Sequence, residues 1–292
     1  MKITIDEFAG FCPGVQRVIQ IAEQRLNEGK KIVALGSIIH NEKEIDRLKT
    51  MGLRVIPQEH WASDPSFKDR LNGDSVLIRS HGVPPEIVNY FEQEGIPFIN
   101  ATCARVVRVQ RLVKKYADRG YQIVVVGKPN HPEVMGLLGN AGALGVLVYN
   151  PEDMVRVDLK MKTLLVAQTT IDEDRFQNFA INLKKGMKEL VVTNTICPVI
   201  KSRHTHMAQF ARAHDVIVLI AGPHSSNSLV LFNLCKTQNS RSYFISDARE
   251  LQPTWFENAA TVGVTGGAST PRWQLIQVRD AIWDECSKKI IA

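Results

Sequence analysis

The chain is short of several features, and each shortage removes a class of function. Nowhere in its 292 residues does an apolar run approach the roughly 18 residues a membrane span needs. The opening MKITIDEFAGFC has no apolar signal core, so the sequence predicts a cytoplasmic protein. There is no CxxC pair and no CxxxCxxC run, which removes the common zinc-ribbon and radical-enzyme cluster motifs. The 5 cysteines are far apart and odd in number, against a disulfide scaffold. Helix-turn-helix, zinc-finger and aromatic RNA-binding signatures are all missing, so the net charge of +6 points away from nucleic acid and toward a small phosphorylated substrate. Low-complexity linkers are absent as well, and 44% hydrophobic with 23% charged residues is the balance of a globular chain.

What is present is repetition. Cys12, Cys103 and Cys197 stand 91 and 94 residues apart, and 28 residues beyond each lie His40, His131 and Ser225. Between 66 and 72 residues beyond each lie His81, Thr169 and Ser269, every one just past an apolar run. Short apolar runs alternate with amphipathic stretches throughout, the pattern of parallel sheets covered by helices. Predicted strands are Lys31–Leu35, Leu53–Ile56, Ser75–Ile78 and Pro97–Ile99 in the first third. Gln122–Val126, Gly145–Tyr149, Thr163–Ala167 and Leu190–Thr193 follow in the second. The last third gives Val216–Ala221, Ser242–Ile245 and Thr261–Val264, with Lys2–Ile5 available as its missing fourth strand. The fold class is therefore α/β: three pseudo-threefold units, 13–101, 102–194 and 195–292, the last completed by residues 1–12.

Each marked polar residue falls where a strand ends and a helix begins, the ligand-binding edge of open α/β sheets. Helix N-termini aimed at one place make an oxyanion pocket, and they favour a metal-ligating, negatively charged sulfur. Three thiolates leave one coordination position open on zinc or on an iron–sulfur cluster; the all-thiolate set favours iron–sulfur, and buried structural thiols are the plain alternative. Serine replaces histidine in the third copy and is a poor metal ligand, so the six polar positions read as hydrogen-bond donors to phosphate. Glu133 and Glu42 occupy the same offset after His131 and His40, and position alone does not choose between them as a proton donor. Thr169 is placed to pass that proton or hold a substrate hydroxyl. Cys235 and Cys286 read as packing residues, and His204, His206 and His214 as surface positions; His224 stays undecided.

In order and spacing, these segments resemble the 4-hydroxy-3-methylbut-2-enyl diphosphate reductases, the LytB or IspH family. The likeness rests on Gly10-Phe11-Cys12, Ile39-His40-Asn41, Ser80-His81-Gly82-Val83, Ala101-Thr102-Cys103, His131-Pro132-Glu133-Val134, Ala167-Gln168-Thr169-Thr170, Thr195-Ile196-Cys197, Ser225-Ser226-Asn227 and Gly267-Ala268-Ser269. It implies a cloverleaf of three α/β units around a 4Fe-4S cluster held by Cys12, Cys103 and Cys197. It implies that His40, His81, His131, Ser225, Ser226, Asn227 and Ser269 hold the diphosphate, while Thr169 and Glu133 serve the reacting hydroxyl. A ferredoxin or flavodoxin is the implied electron donor. Ala104 after Cys103, the run Pro198-Val199-Ile200-Lys201 and the pair Leu229-Val230 depart from the usual family pattern. The competing readings are an iron–sulfur redox sensor without catalysis and a zinc hydrolase.

Overall fold

The computed structural model describes residues 1–57, 67–223 and 225–291, so His224 lies outside the described residues. Among those residues there are three four-stranded sheets, and every strand pairing in them is parallel. The first sheet contains β2 (Ile32–Leu35), β3 (Arg54–Ile56), β4 (Ser75–Ile78) and β5 (Phe98–Asn100), in the order β3-β2-β4-β5. The second contains β6 (Gln122–Val126), β7 (Gly145–Val148), β8 (Thr163–Ala167) and β9 (Leu190–Val192), in the order β7-β6-β8-β9. The third contains β10 (Val216–Ile220), β11 (Ser242–Ile245) and β12 (Thr261–Gly266), with β1 (Lys2–Ile5) beside β12 and the order β11-β10-β12-β1. One strand order therefore occurs three times, and β1 fills the place of β5 and β9 from the other end of the chain.

The α-helices among the described residues are α1 (Pro13–Asn27), α2 (Glu42–Thr50), α3 (Phe67–Leu71), α4 (Pro85–Gln93), α5 (Ala104–Ala117), α6 (Pro132–Ala141), α7 (Glu173–Gly186), α8 (Pro198–Arg212), α9 (Ser226–Gln238) and α10 (Arg272–Ile291). The central strands β6, β8 and β10 are buried along their whole length, as expected of parallel strands covered on both faces. Alternate residues feed two separate cores. Val216, Val218 and Ile220 of β10 pack with Leu275, Val278 and Ile282 of α10, whereas Ile217 and Leu219 pack with Met207 and Phe210 of α8 and Leu231 of α9.

Two compact units result. One comprises Met1–Gln16, Ile39–Asp46 and Pro198–Ala292 and contains the third sheet. The other comprises Arg17–Ile38 and Arg47–Cys197 and contains the first two sheets.

Most predicted elements occur within a residue or two of their expected limits, and the exceptions have local causes. Strand β12 runs two residues past the apolar stretch because Thr265 is satisfied inside the sheet, donating its hydroxyl to buried Asp6 at 2.7 Å. The sequence pattern predicts a helix over Pro132–Leu138, and α6 runs on to Ala141, with Asn140 donating its side-chain amide to the Gly136 carbonyl at 2.7 Å. Cys235 is fully buried, and burial pushes its thiol up to about 12, which fits the packing role. The surface reading of His206 in α8 and of His214 just beyond it needs correction. His206 is half-buried with Nε2 2.9 Å from Asp6, and His214 Nδ1 meets the Phe210 carbonyl at 2.9 Å. The buried carboxylate of Asp6, just past the end of β1 and distant in sequence, is what draws His206 inward.

Candidate active site

In each sheet the first and third strands are neighbours, and the connections leave them in opposite directions. Loops leaving such a switch point open a crevice at the C-terminal strand edge. In the second unit, β2 and β4 lead to His40 and His81, and β6 and β8 lead to His131 and Thr169; in the first, β10 and β12 lead to Ser225 and Ser269. The segment bearing His40 itself belongs to the first unit.

The cysteines sit at the matching place after the fourth strand. Cys12, Cys103 and Cys197 immediately precede α1, α5 and α8; none is in a disulfide and all are half-buried. Pro13 and Pro198 open two of these helices, where a missing N–H is harmless. Each cysteine N–H is also tied to the loop leaving the third strand of its own sheet. Cys103 donates to Ser80 at 2.9 Å, Cys197 to Thr169 at 2.8 Å and Cys12 to Ala268 at 3.2 Å. Each sheet thus fastens one thiol beside one polar group of the repeated set: His81, Thr169 or Ser269.

Within the second unit the structure assembles His81, His131, Glu133 and Thr169. The His81 and His131 rings meet edge to face, centroids 5.2 Å apart. His131 caps α6, its Nδ1 accepting the Glu133 N–H at 3.2 Å, which makes Nε2 the donor of that ring. Glu133 is 1% exposed and accepts from Thr169 twice, from the backbone N–H at 2.6 Å and from Oγ1 at 2.8 Å. Burial pushes its carboxyl up to about 7, against the downward pull of both Thr169 hydrogen bonds. Glu42 is exposed, so geometry separates two glutamates that sequence position could not.

The first unit assembles a different group. Ser225 caps α9, accepting from the Ser228 N–H at 3.4 Å and the Ser228 hydroxyl at 2.8 Å. Ser269 Oγ lies 3.4 Å from both Ser225 Oγ and the His40 carbonyl. Asn227 is 5% exposed, and neither its Oδ1 nor its Nδ2 has a hydrogen-bond partner among the described residues. Ser226 is the first residue of α9. The His40 loop lies against β10: a Cβ on Gly222 would come within 2.2 Å of the His40 carbonyl oxygen, so only glycine allows this approach. Asn41 extends the attachment, donating to Gln274 of α10 at 2.7 Å.

Some supports carried no signal in the spacing. Arg203 of α8 donates to the Gly10 carbonyl at 2.8 Å, holding the turn before Cys12. Gln168 accepts the Lys128 N–H at 3.0 Å and donates to Thr170 at 2.8 Å, bracing the β6 and β8 exits against one another. Thr270 accepts the Gly267 N–H at 3.1 Å and donates to the Ile220 carbonyl at 2.8 Å, doing the same for β10 and β12. Gln168 precedes Thr169 whereas Thr270 follows Ser269, so no common offset marks the two braces.

No helix among the described residues is long and apolar enough to cross a membrane. The sequence matches the family described as LytB protein over residues 3–283. A protein of Aquifex aeolicus named 4-hydroxy-3-methylbut-2-enyl diphosphate reductase is 38% identical, across 100% of this chain and 99% of its own. A Bacteroides thetaiotaomicron protein of the same name is 35% identical, across 97% and 98%. A solved structure described as (E)-4-hydroxy-3-methyl-but-2-enyl diphosphate reductase, the terminal enzyme of the non-mevalonate pathway, is 39% identical. It covers 97% of this chain and 99% of its own with a TM-score of 0.74. The fold is also that of the Plasmodium falciparum E-1-hydroxy-2-methyl-but-2-enyl-4-diphosphate reductase, at 24% identity and a TM-score of 0.83 over 96% and 87% of the two chains. On the strength of these full-length matches, the chain belongs to the LytB protein family.

Proposed function

We propose that this protein is a cytoplasmic oxidoreductase that removes the hydroxyl of (E)-4-hydroxy-3-methylbut-2-enyl diphosphate, giving isopentenyl and dimethylallyl diphosphate. The observation that carries the reading is the buried Glu133–Thr169 pair, built at a switch point and tied by the Cys197 N–H to a free half-buried thiol. It supports a proton donor beside a redox-active ligand set in a chain whose full-length relatives bear the reductase name. Under this reading the three α/β units are 13–101, 102–194 and 195–292, with 1–12 completing the last.

The donor chemistry fits an iron–sulfur cluster. Cys12, Cys103 and Cys197 are sulfurs outside any disulfide at equivalent places, and three thiolates suit a 4Fe-4S group that keeps one iron open. Such a group, when bound, supplies electrons and a Lewis-acidic iron for the substrate oxygen. Everything else falls to the chain. The diphosphate is held by His40, His81 and His131 together with Ser225, Ser226, Asn227 and Ser269. Asn227 matters most among these, because its buried Nδ2 lacks a partner among the described residues and would donate to a phosphate oxygen. Thr169 orients the substrate hydroxyl. Glu133, raised to about 7 by burial, holds a proton at neutral pH and delivers it to the departing oxygen. The carbon–oxygen bond breaks, one carbon–hydrogen bond forms, and two electrons and two protons are consumed as water leaves. A ferredoxin or flavodoxin supplies the electrons.

Purification without oxygen, with iron analysis and a visible spectrum, tests the ligand set. The native protein is expected to be brown with about four irons, and C12S to be folded but iron-poor. Adding a reduced dye mediator and the hydroxymethylbutenyl diphosphate then tests the reaction. Mediator oxidation that depends on the substrate supports the reductase; a brown protein without that activity indicates a redox sensor. A colourless zinc protein overturns both the ligand set and the reaction.

A further inference from the structure

Helix α5 begins directly after Cys103 and carries Arg105, Arg108, Arg111, Lys114 and Lys115 with no acidic residue. Positions 104, 108, 111 and 115 recur at the helical interval, so Arg108, Arg111 and Lys115 share a stripe. A cavity of about 630 Å³ opens beside it, lined by Arg17 of α1, by Arg108 and Arg111, and by Thr102, Ala104 and Val107. All of these belong to the second unit.

Several other surface cations are paired locally. Arg47 meets Glu23, Lys68 meets Glu94 and Lys114 meets Asp118. Arg17, Arg108 and Arg111 are exposed, and among the described residues none of them has a carboxylate partner. Three uncompensated guanidinium groups around one opening repel one another, and they project a positive field that draws in and orients an anionic partner. The lining sets the size of that partner. A small anion is held by buried, fixed donors, whereas these arginines are exposed on flexible stems around an apolar floor of Ala104 and Val107. That is the make-up of a protein-docking rim, where charge governs encounter and register.

We propose that the Arg17–Arg108–Arg111 face is the docking surface for an acidic one-electron carrier protein. The position follows from the chain: Thr102 and Ala104 line the cavity, and Cys103 between them is half-exposed. A carrier seated there faces the backbone flanks of that thiol. The inference rests on the reading of Cys103 as a cluster ligand. Two successive dockings deliver the two electrons that each substrate consumes, so the contact must be weak and quickly renewed, as small electron-transfer interfaces are.

The test uses the iron-loaded protein and R17Q/R108Q/R111Q, with an acidic ferredoxin as the probe. Titration calorimetry across rising salt reads docking, and turnover is measured twice, with reduced ferredoxin and with a reduced viologen dye. Wild-type affinity is expected to fall steeply with salt. The variant is expected to lose about tenfold or more in ferredoxin affinity and in ferredoxin-driven kcat/KM, with iron content and dye-driven turnover unchanged. Unchanged affinity and ferredoxin-driven rate in the variant overturn the docking surface. So does a calorimetric site for inorganic diphosphate that the variant loses while ferredoxin affinity is retained, since the arginines then serve a small anion. Failure of the proposed reaction has a separate signature: no substrate-dependent dye oxidation by the wild type, whatever the ferredoxin titration shows. Should the triple variant fold poorly, R108E alone, on an exposed helix face, must still weaken ferredoxin binding.

Discussion

Glu133 and Asn227 occupy the same place in two copies of one design, two residues beyond the group that ends the first-strand loop, yet their surroundings are opposite. Glu133 is buried and fully engaged, taking both hydrogen bonds that Thr169 offers. Asn227 is buried and engaged with nothing among the described residues. A satisfied carboxyl gains little from a ligand and is free to change its proton. An unsatisfied amide costs about 1–3 kcal/mol, which a fold offsets only where a ligand restores the missing bonds. Under the proposed function, one repeat serves as a proton donor and another as an anion grip on the same strand–loop–helix plan.

The largest effect expected of this contrast comes from E133Q. Glutamine keeps the size and can still accept the Thr169 N–H through its one oxygen, but it has no acidic proton to give. Turnover is expected to drop by about 10²–10⁴-fold, with iron content and affinity for inorganic diphosphate retained. Wild-type turnover should decline as pH rises through about 7, where Glu133 loses its proton, while the residual rate of E133Q stays level. Stability offers an independent reading. Because the folded carboxyl titrates near 7 instead of at the ordinary 4.5, the folded state holds the extra proton between those values. Stability from this group is complete below the lower value and is lost as pH rises through the upper one, by about 3 kcal/mol in all. Denaturant melts of E133Q should lack that slope. Activity unchanged in E133Q removes Glu133 from the mechanism.

Next in size is G222A, which strikes the anion grip through its backbone. The added methyl meets the His40 carbonyl oxygen at 2.2 Å, and backbone cannot yield as a flexible side chain does. A loss of about 1–3 kcal/mol in folding stability is expected, with weakened diphosphate binding as the His40 loop is pushed aside. N227A should do less, and in the opposite sense for stability. Removing an amide with no internal partners leaves the melting temperature level or slightly raised, while diphosphate affinity falls about tenfold, or roughly 1.4 kcal/mol. A clear loss of stability in N227A would mean that the amide is satisfied within the fold and that the comparison with Glu133 is wrong.

The unequal chemistry of the repeats also explains how far the sequence could be read. Strand and helix positions were legible because buried parallel strands such as 122–126 and 216–220 are unbroken apolar runs, and the cysteine intervals exposed the repeat itself. The fourth strand of the last sheet was legible only as a leftover, since Lys2–Ile5 pairs with β12 across the whole length of the chain. The choice between Glu42 and Glu133 was not legible from the residues. Both follow a histidine by two positions, and only burial separates them, which depends on what α6 packs against rather than on the local run. His206 failed for the same reason, because Asp6, which draws it inward, is 200 residues away. Spacing reports what the chain repeats; the differences among repeats are made by distant partners.

T169V gives the smallest change and the finest cut. Valine removes the Oγ1 hydrogen bond to Glu133 at 2.8 Å but leaves the backbone N–H bond at 2.6 Å. Hydrogen bonds to a carboxylate favour its charged form, and here both hold the Glu133 value down against burial. Losing one must therefore move Glu133 upward, and the falling limb of the pH–rate profile should shift to higher pH by about half a unit to one unit. A variant that merely loosened the fold would lower the rate at every pH and leave the limb where it was. A limb that moves identifies the Thr169 hydroxyl as the group that tunes the proton donor, a partner that Asn227 lacks at the equivalent place in its own copy.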